Sequence, residues 1–212
     1  MLLDNLANAV SEMKEPETMK LTQAAISDGL APEEIILNGL CAGMEIAGKK
    51  YEMREYFVPD MLKASKIFNQ AMTKVAPLLE KAKSEPAAAG VIGLVKGTSQ
   101  DNGKNIVRIL LEANGFDVKD LGKSVATDVF VQAARDGADF IGLSIMTSGG
   151  LREAKKVVDA LSENSLRDKV KVMVGGAAVE DEKQAKEYIG ADGYAKNAAE
   201  AVRLAQGWFP IL

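Results

Sequence analysis

The side chains able to do chemistry gather in three short stretches. The first is "VKGTSQDNGKNIV", Val95 to Val107, where hydroxyl, amide and carboxylate groups lie between Gly97 and Gly103. The second is "SIMTSGG", which opens on Ser144, and the third is the Gly175-Gly176 pair of "GGAAV". These residue types bind; they do not break bonds unaided. The chain has no histidine, which removes Ser-His-Asp and Cys-His nucleophiles, histidine zinc sites and imidazole acid-base work. Demanding chemistry is therefore left to a bound cofactor. "GTSQDNGK" is neither a phosphate-binding P-loop nor GxGxxG: its glycines are spaced differently and no Ser or Thr follows Lys104. Taken singly, Gly97 and Gly103 read as a tight strand-to-helix turn. Gly175-Gly176 reads as a turn after a strand, and Ser144 as a hydroxyl bonded to nearby backbone.

The elements that must position these stretches follow from periodicity. From Val91 onward, β-rich runs ("VIGLV", "GFDVKDLG", "ADFIGLSIM", "KVKVMVGG", "ADGYA") alternate with helical ones. That alternation predicts a five-stranded parallel, doubly wound sheet, with ligands at the carboxyl ends of its strands. All three stretches fall at such ends. Upstream, "PETMKLTQAAISDG", "APEEIILNGLCAGMEIAGKKYEM" and "VPDMLKASKIFNQAMTKVAPLLEKA" carry helical apolar faces through Ile35, Ile36, Leu40, Met44, Ile46, Met61, Leu62, Ile67, Phe68, Met72 and Val75. They predict a small bundle, and "KSEPAAAG" reads as the linker. The expected fold is α + α/β: a helical bundle over 1–87, then a Rossmann-like, flavodoxin-like domain over 88–212.

Composition narrows the partners. A net charge of -4 without a basic stripe argues against nucleic acid. The N-terminus lacks the pattern of a signal peptide and no apolar run reaches a membrane span. A lone Cys41 excludes an internal disulfide and suits the cytoplasm. Trp208 and Phe209 are expected to pack, as are Met44, Tyr56 and Phe57.

Together, "TSQDNG" (Thr98–Gly103), "SIM" (Ser144–Met146) and Gly175-Gly176 resemble the signature of cobalamin-binding methyl carriers and of the B12 module of methionine synthase. That signature is Asp-x-His-x-x-Gly, then Ser-x-Leu, then Gly-Gly, at matching intervals. "GKNIVRILLEANGFDVKDLG" and "ADGYAKNAAEAV" are similar to the family's text, and "GLCAGMEIAGKKYEMREYFVPDMLKASKIFNQAM" to its helical cap. The resemblance implies cobalamin contacts at Gly97, Thr98, Ser99, Gln100, Asp101, Asn102, Gly103, Leu143, Ser144, Met146, Thr147, Ser148, Gly175, Gly176, Tyr194 and Ala195. In it, Gly103, Gly175 and Gly176 give room to the cofactor's nucleotide tail, Ser144 bonds the tail base, and the helical half shields the ring's upper face.

The chain departs from the pattern at one linked set. Thr98 stands where the family has Asp, Gln100 where it has the histidine that ligates cobalt from below, and Gly150 where the methionine synthase branch has a relay serine. An acid that orients an imidazole has no task once the imidazole is gone. The expectation is cobalamin bound base-off and His-off, with no metal ligand from the protein; an amide oxygen is a poor substitute for imidazole nitrogen. The implied activity is methyl carriage between a donor-specific methyltransferase, as in O-demethylation, and an acceptor methyltransferase of the tetrahydrofolate type, with a reductive activator as third partner. The chain would be a component of that system, with no catalytic residues of its own. The alternative is a B12 sensor or storage protein.

Overall fold

A computed structural model of the chain describes residues 1–79, 86–97 and 102–210. It divides into two compact units, Met1–Glu80 and Lys81–Leu212.

The first unit is helical: α1 (Leu2–Ser11), α2 (Glu15–Ser27), a continuous run made of α3 (Pro32–Glu34), a π-helical turn (Ile35–Cys41) and α4 (Ala42–Glu52), then α5 (Val58–Val75). Pro16 sits in the first turn of α2, and Gly29, at φ +73°, ends it, the usual proline-in, glycine-out asymmetry. Gly39 and Gly43 let α1 approach closely. A Cβ on Gly39 would lie 2.6 Å from Leu6 Cδ2, and one on Gly43 2.6 Å from the Ala7 carbonyl oxygen. Leu6, Val10, Ile35, Ile36, Leu40, Ile67, Phe68 and Val75 fill the core. The apolar face of α5 departs from expectation at its start: Leu62 is exposed, and so is Phe57 just before the helix. The N–H of Phe57 donates to the Asp60 carboxylate (2.8 Å), which fixes the entry into α5.

The second unit has a sheet of β1 (Ala89–Val95), β2 (Asp117–Val125), β3 (Phe140–Ser144), β4 (Lys171–Gly175) and β5 (Gly193–Ala195). All pairs are parallel, in the order β2-β1-β3-β4-β5. The connecting helices are α6 (Asn102–Ala113), α7 (Thr127–Arg135), α8 (Ser148–Glu163), a π-helical turn (Gln184–Ile189) and α9 (Ala198–Trp208). The expected α + α/β, Rossmann-like architecture is what the chain forms. β1 is apolar almost throughout and buried on both faces, as a central parallel strand must be. Its glycines admit aromatic rings from either side. A Cβ on Gly90 would meet the Phe140 ring at 2.3 Å, and one on Gly93 the Phe130 ring at 2.7 Å. Phe209 packs on Phe140, with ring centroids 6.2 Å apart, and Trp208 closes on Gly193 of β5, where a Cβ would lie 3.0 Å from the indole.

Candidate functional site

Strand order reverses between β1 and β3, and the carboxyl edge there is where open α/β sheets bind ligands. Register aligns the candidate residues along that edge. Leu94 of β1 pairs with Ser144 of β3, Ser144 with Gly175 of β4, and Gly175 with Ala195 of β5. Four residues far apart in sequence thus form one row. Among the described residues the Ser144 hydroxyl has no hydrogen-bond partner.

Gly97, at φ +117°, turns the chain after β1, and a Cβ there would sit 3.1 Å from Thr147 Oγ1. Thr147 caps α8, accepting the Gly150 N–H at 3.2 Å. The stretch after β3 is therefore not a glycine loop: Ser148, Gly149 and Gly150 already belong to α8. Gly150 is buried, and a Cβ there would press on Ile145 and Val95 at 3.2 Å each, so the relay-serine position is tightly packed.

The glycines expected to clear a path for a ligand divide into two kinds. A Cβ on Gly175 would lie 2.6 Å from the Ala195 carbonyl oxygen, and one on Gly176, at φ +111°, 2.3 Å from that of Ile145. Their space is taken by the chain's own backbone. The Ile145 N–H donates to the Gly175 carbonyl (2.8 Å), and the Ala178 N–H to the Ile145 carbonyl (3.2 Å), so the loop after β4 wraps the end of β3. At Gly103 a Cβ would meet nothing within 4 Å. Among the described residues, that glycine alone of the three faces open space.

Tyr194 is half-buried and its hydroxyl donates to the Val179 carbonyl at 3.2 Å. Burial, then the negative charges of Glu200 and Asp181, push that hydroxyl's pKa up, so it stays a donor. Met146 is partly exposed and Ser148 exposed at the edge, whereas Leu143 lies in the core between sheet and helices. Thr98, Ser99, Gln100 and Asp101 lie outside the described residues, and Asn102 begins α6. Cys41 is no nucleophile, because burial and then Glu45 push its thiol up to about 12. Among the described residues no group of His, Cys, Asp or Glu could hold a metal ion, and no helix is long and apolar enough to cross a membrane.

The sequence reading missed one feature. Lys104, in the first turn of α6, is buried and ion-paired with Asp120 of β2. The signal was present, since a cation is disfavoured at a helix N-terminus.

A B12 binding domain model matches residues 88–203, and a second B12 binding domain model matches residues 2–75. The chain belongs to the B12-binding corrinoid proteins. Within that family it is 39% identical to monomethylamine corrinoid protein 1 of Methanosarcina mazei, over 96% of this chain and 95% of the relative. Among solved structures it resembles the monomethylamine corrinoid protein of Methanosarcina barkeri, with TM-score 0.87 and 35% identity over 98% of both chains. It also resembles a methanol:cobalamin methyltransferase complex of Methanosarcina barkeri, with TM-score 0.53 and 26% identity over 98% of this chain and 79% of the other. The site fits a corrinoid on its own terms. Among the described residues, a hydroxyl without a hydrogen-bond partner, Ser144, and an open glycine, Gly103, both lie on the edge where the strand order reverses.

Proposed function

We propose that this corrinoid protein holds cobalamin at the carboxyl edge of its sheet, base-off and without a histidine below the cobalt. It passes a methyl group from a donor-specific methyltransferase to an acceptor methyltransferase of the tetrahydrofolate type, with a reductive activator restoring the cofactor. The observation that carries this reading is the row Ser144, Gly175 and Ala195, continued by the open space at Gly103. Ser144 would bond the tail base, and the first N–H groups of α6 would face its polar acceptors. Of the other expected contacts, Gly97, Asn102, Met146, Thr147, Ser148 and Tyr194 would line the same edge, and Thr98, Ser99, Gln100 and Asp101 lie outside the described residues. Cobalt supplies the methyl-accepting centre when bound, while the chain binds, orients and shields. The helical unit carries apolar side chains at Phe57, Val58 and Leu62, exposed by 65%, 55% and 57%. The donor is a methylated amine, by likeness to relatives named for monomethylamine; an oxygen-linked methyl group, as in O-demethylation, is the alternative.

His-off binding follows from composition, since a chain without histidine has no imidazole to offer. Protein reconstituted with cobalamin and reduced to Co(II) is expected to show an EPR spectrum without axial nitrogen splitting. Thr98→Asp with Gln100→His is expected to introduce that splitting. A three-line nitrogen pattern in the unaltered protein defeats this part of the proposal. Methyl carriage is tested by adding a candidate methyltransferase and its methylated amine to the reduced, loaded protein. No methylation with any candidate, where reduction is demonstrated, favours the sensor or storage alternative.

A further inference from the structure

Lys104 is placed against two ordinary preferences. Its side chain is 0% exposed, although a buried ammonium is costly unless fully paired. It also sits in the first turn of α6, where the helix dipole disfavours a cation. Helix stability alone therefore does not account for it. Its ammonium reaches back to β2, where it pairs with the Asp120 carboxylate and donates to Asn105 Oδ1 at 3.0 Å.

Asp120 is itself held in an irregular place. The β1–β2 register runs Ile92 with Asp120, then Gly93 with Gly122, so Leu121 is an extra residue in the strand. Asp120 Oδ1 accepts the Gly122 N–H at 2.7 Å, and Gly122 has φ +89°. One carboxylate thus closes the bulge through one oxygen and ties down α6 through the other. A buried ion pair is a poor source of stability compared with packed apolar groups, but it fixes geometry.

We infer that Lys104 is a positioning residue for the corrinoid site, pinning the start of α6 to the β2 bulge so that Gly103 and the first α6 N–H groups face the cofactor tail. This rests on the reading of the edge as a corrinoid site. Outer partners that orient metal ligands change affinity by about 10- to 100-fold when removed, and an effect of that order is expected for a residue that orients the tail site.

The test compares the whole chain with Lys104→Met/Asp120→Asn, which removes both charges, and with Lys104→Arg, which keeps the ion pair possible. Each is examined by thermal unfolding, by hydrogen–deuterium exchange without cofactor, and by timed desalting after loading with aquacobalamin. The double variant is expected to fold, to exchange faster at residues 103–107 alone, and to release aquacobalamin about 10- to 100-fold faster. Lys104→Arg is expected to recover part of both effects. A folded double variant with unchanged local exchange and release overturns the inference. So does unfolding, or exchange raised throughout the second unit, in both variants, because the pair is then a general prop of the fold. If the unaltered chain does not retain aquacobalamin, the corrinoid reading of the edge fails, and the exchange experiment still decides whether Lys104 pins α6.

Discussion

A methyl group added at Gly103 and one added at Gly176 should have opposite consequences. Gly176→Ala places a Cβ at φ +111° and 2.3 Å from a carbonyl oxygen; backbone strain alone costs about 1–3 kcal/mol. It should lower the urea midpoint of the cofactor-free protein, so weak cobalamin binding there says nothing about the tail. At Gly103 a Cβ meets none of the described residues within 4 Å, and Gly103→Leu gains helix propensity of up to about 1 kcal/mol. It should keep or raise the cofactor-free midpoint while lowering cobalamin retention at least about tenfold. Unchanged retention would remove Gly103 from the tail path. In sequence these glycines look alike. Only the backbone of Ile145, just beyond β3 and brought alongside by the sheet, tells them apart. The same holds for Leu143, whose apolar character suits a ligand wall or a core equally until Val174 of β4 is paired beside it.

Elements were legible where period and punctuation agreed. Five β-rich runs between helical runs specify a parallel sheet because few topologies satisfy that order. The π-helical turn at Ile35–Cys41 was not legible, since its shifted hydrogen bonds cannot be told from the α pattern by side-chain spacing. The β2 bulge was hidden for the same reason, and with it the Asp120 link. That link makes an acid-range prediction. Burial works to raise the Asp120 carboxyl, but hydrogen bonds from Lys104 and the Gly122 N–H, with the charges of Lys104 and Arg108, outweigh it and hold its pKa low. A carboxyl depressed in the folded state contributes stability that is present above its unfolded value, about 3.9, and is lost as pH falls through the folded value. Urea midpoints should therefore fall less between about pH 5 and about pH 3 in Asp120→Asn than in the unaltered chain. On the opposite face, Phe130 is fully buried against Gly93. Phe130→Ala leaves a cavity beside a strand that has no side chain to fill it, and should cost about 3–5 kcal/mol by chemical denaturation.

The whole molecule carries two separate cores, so calorimetry should resolve two transitions. The expected tail contacts all lie in the second unit, and its transition should rise with aquacobalamin. The gain is about 2.7 kcal/mol when free ligand exceeds the dissociation constant 100-fold. A second-unit transition that ignores aquacobalamin would falsify corrinoid binding at this edge. Assigning the transitions requires no label, because the chain's single tryptophan, Trp208, packs against the amino end of β5. α9 leads to it from the site edge across 11 residues, about 16 Å of helix. A corrin ring absorbs light where indole emits, and energy transfer reaches across such a span. A cobalamin-loaded chain should therefore be dark under ultraviolet excitation and the empty chain bright. The packing that anchors the last helix doubles as an optical gauge of occupancy, readable in a titration with no partner enzyme and no chemistry at the cobalt.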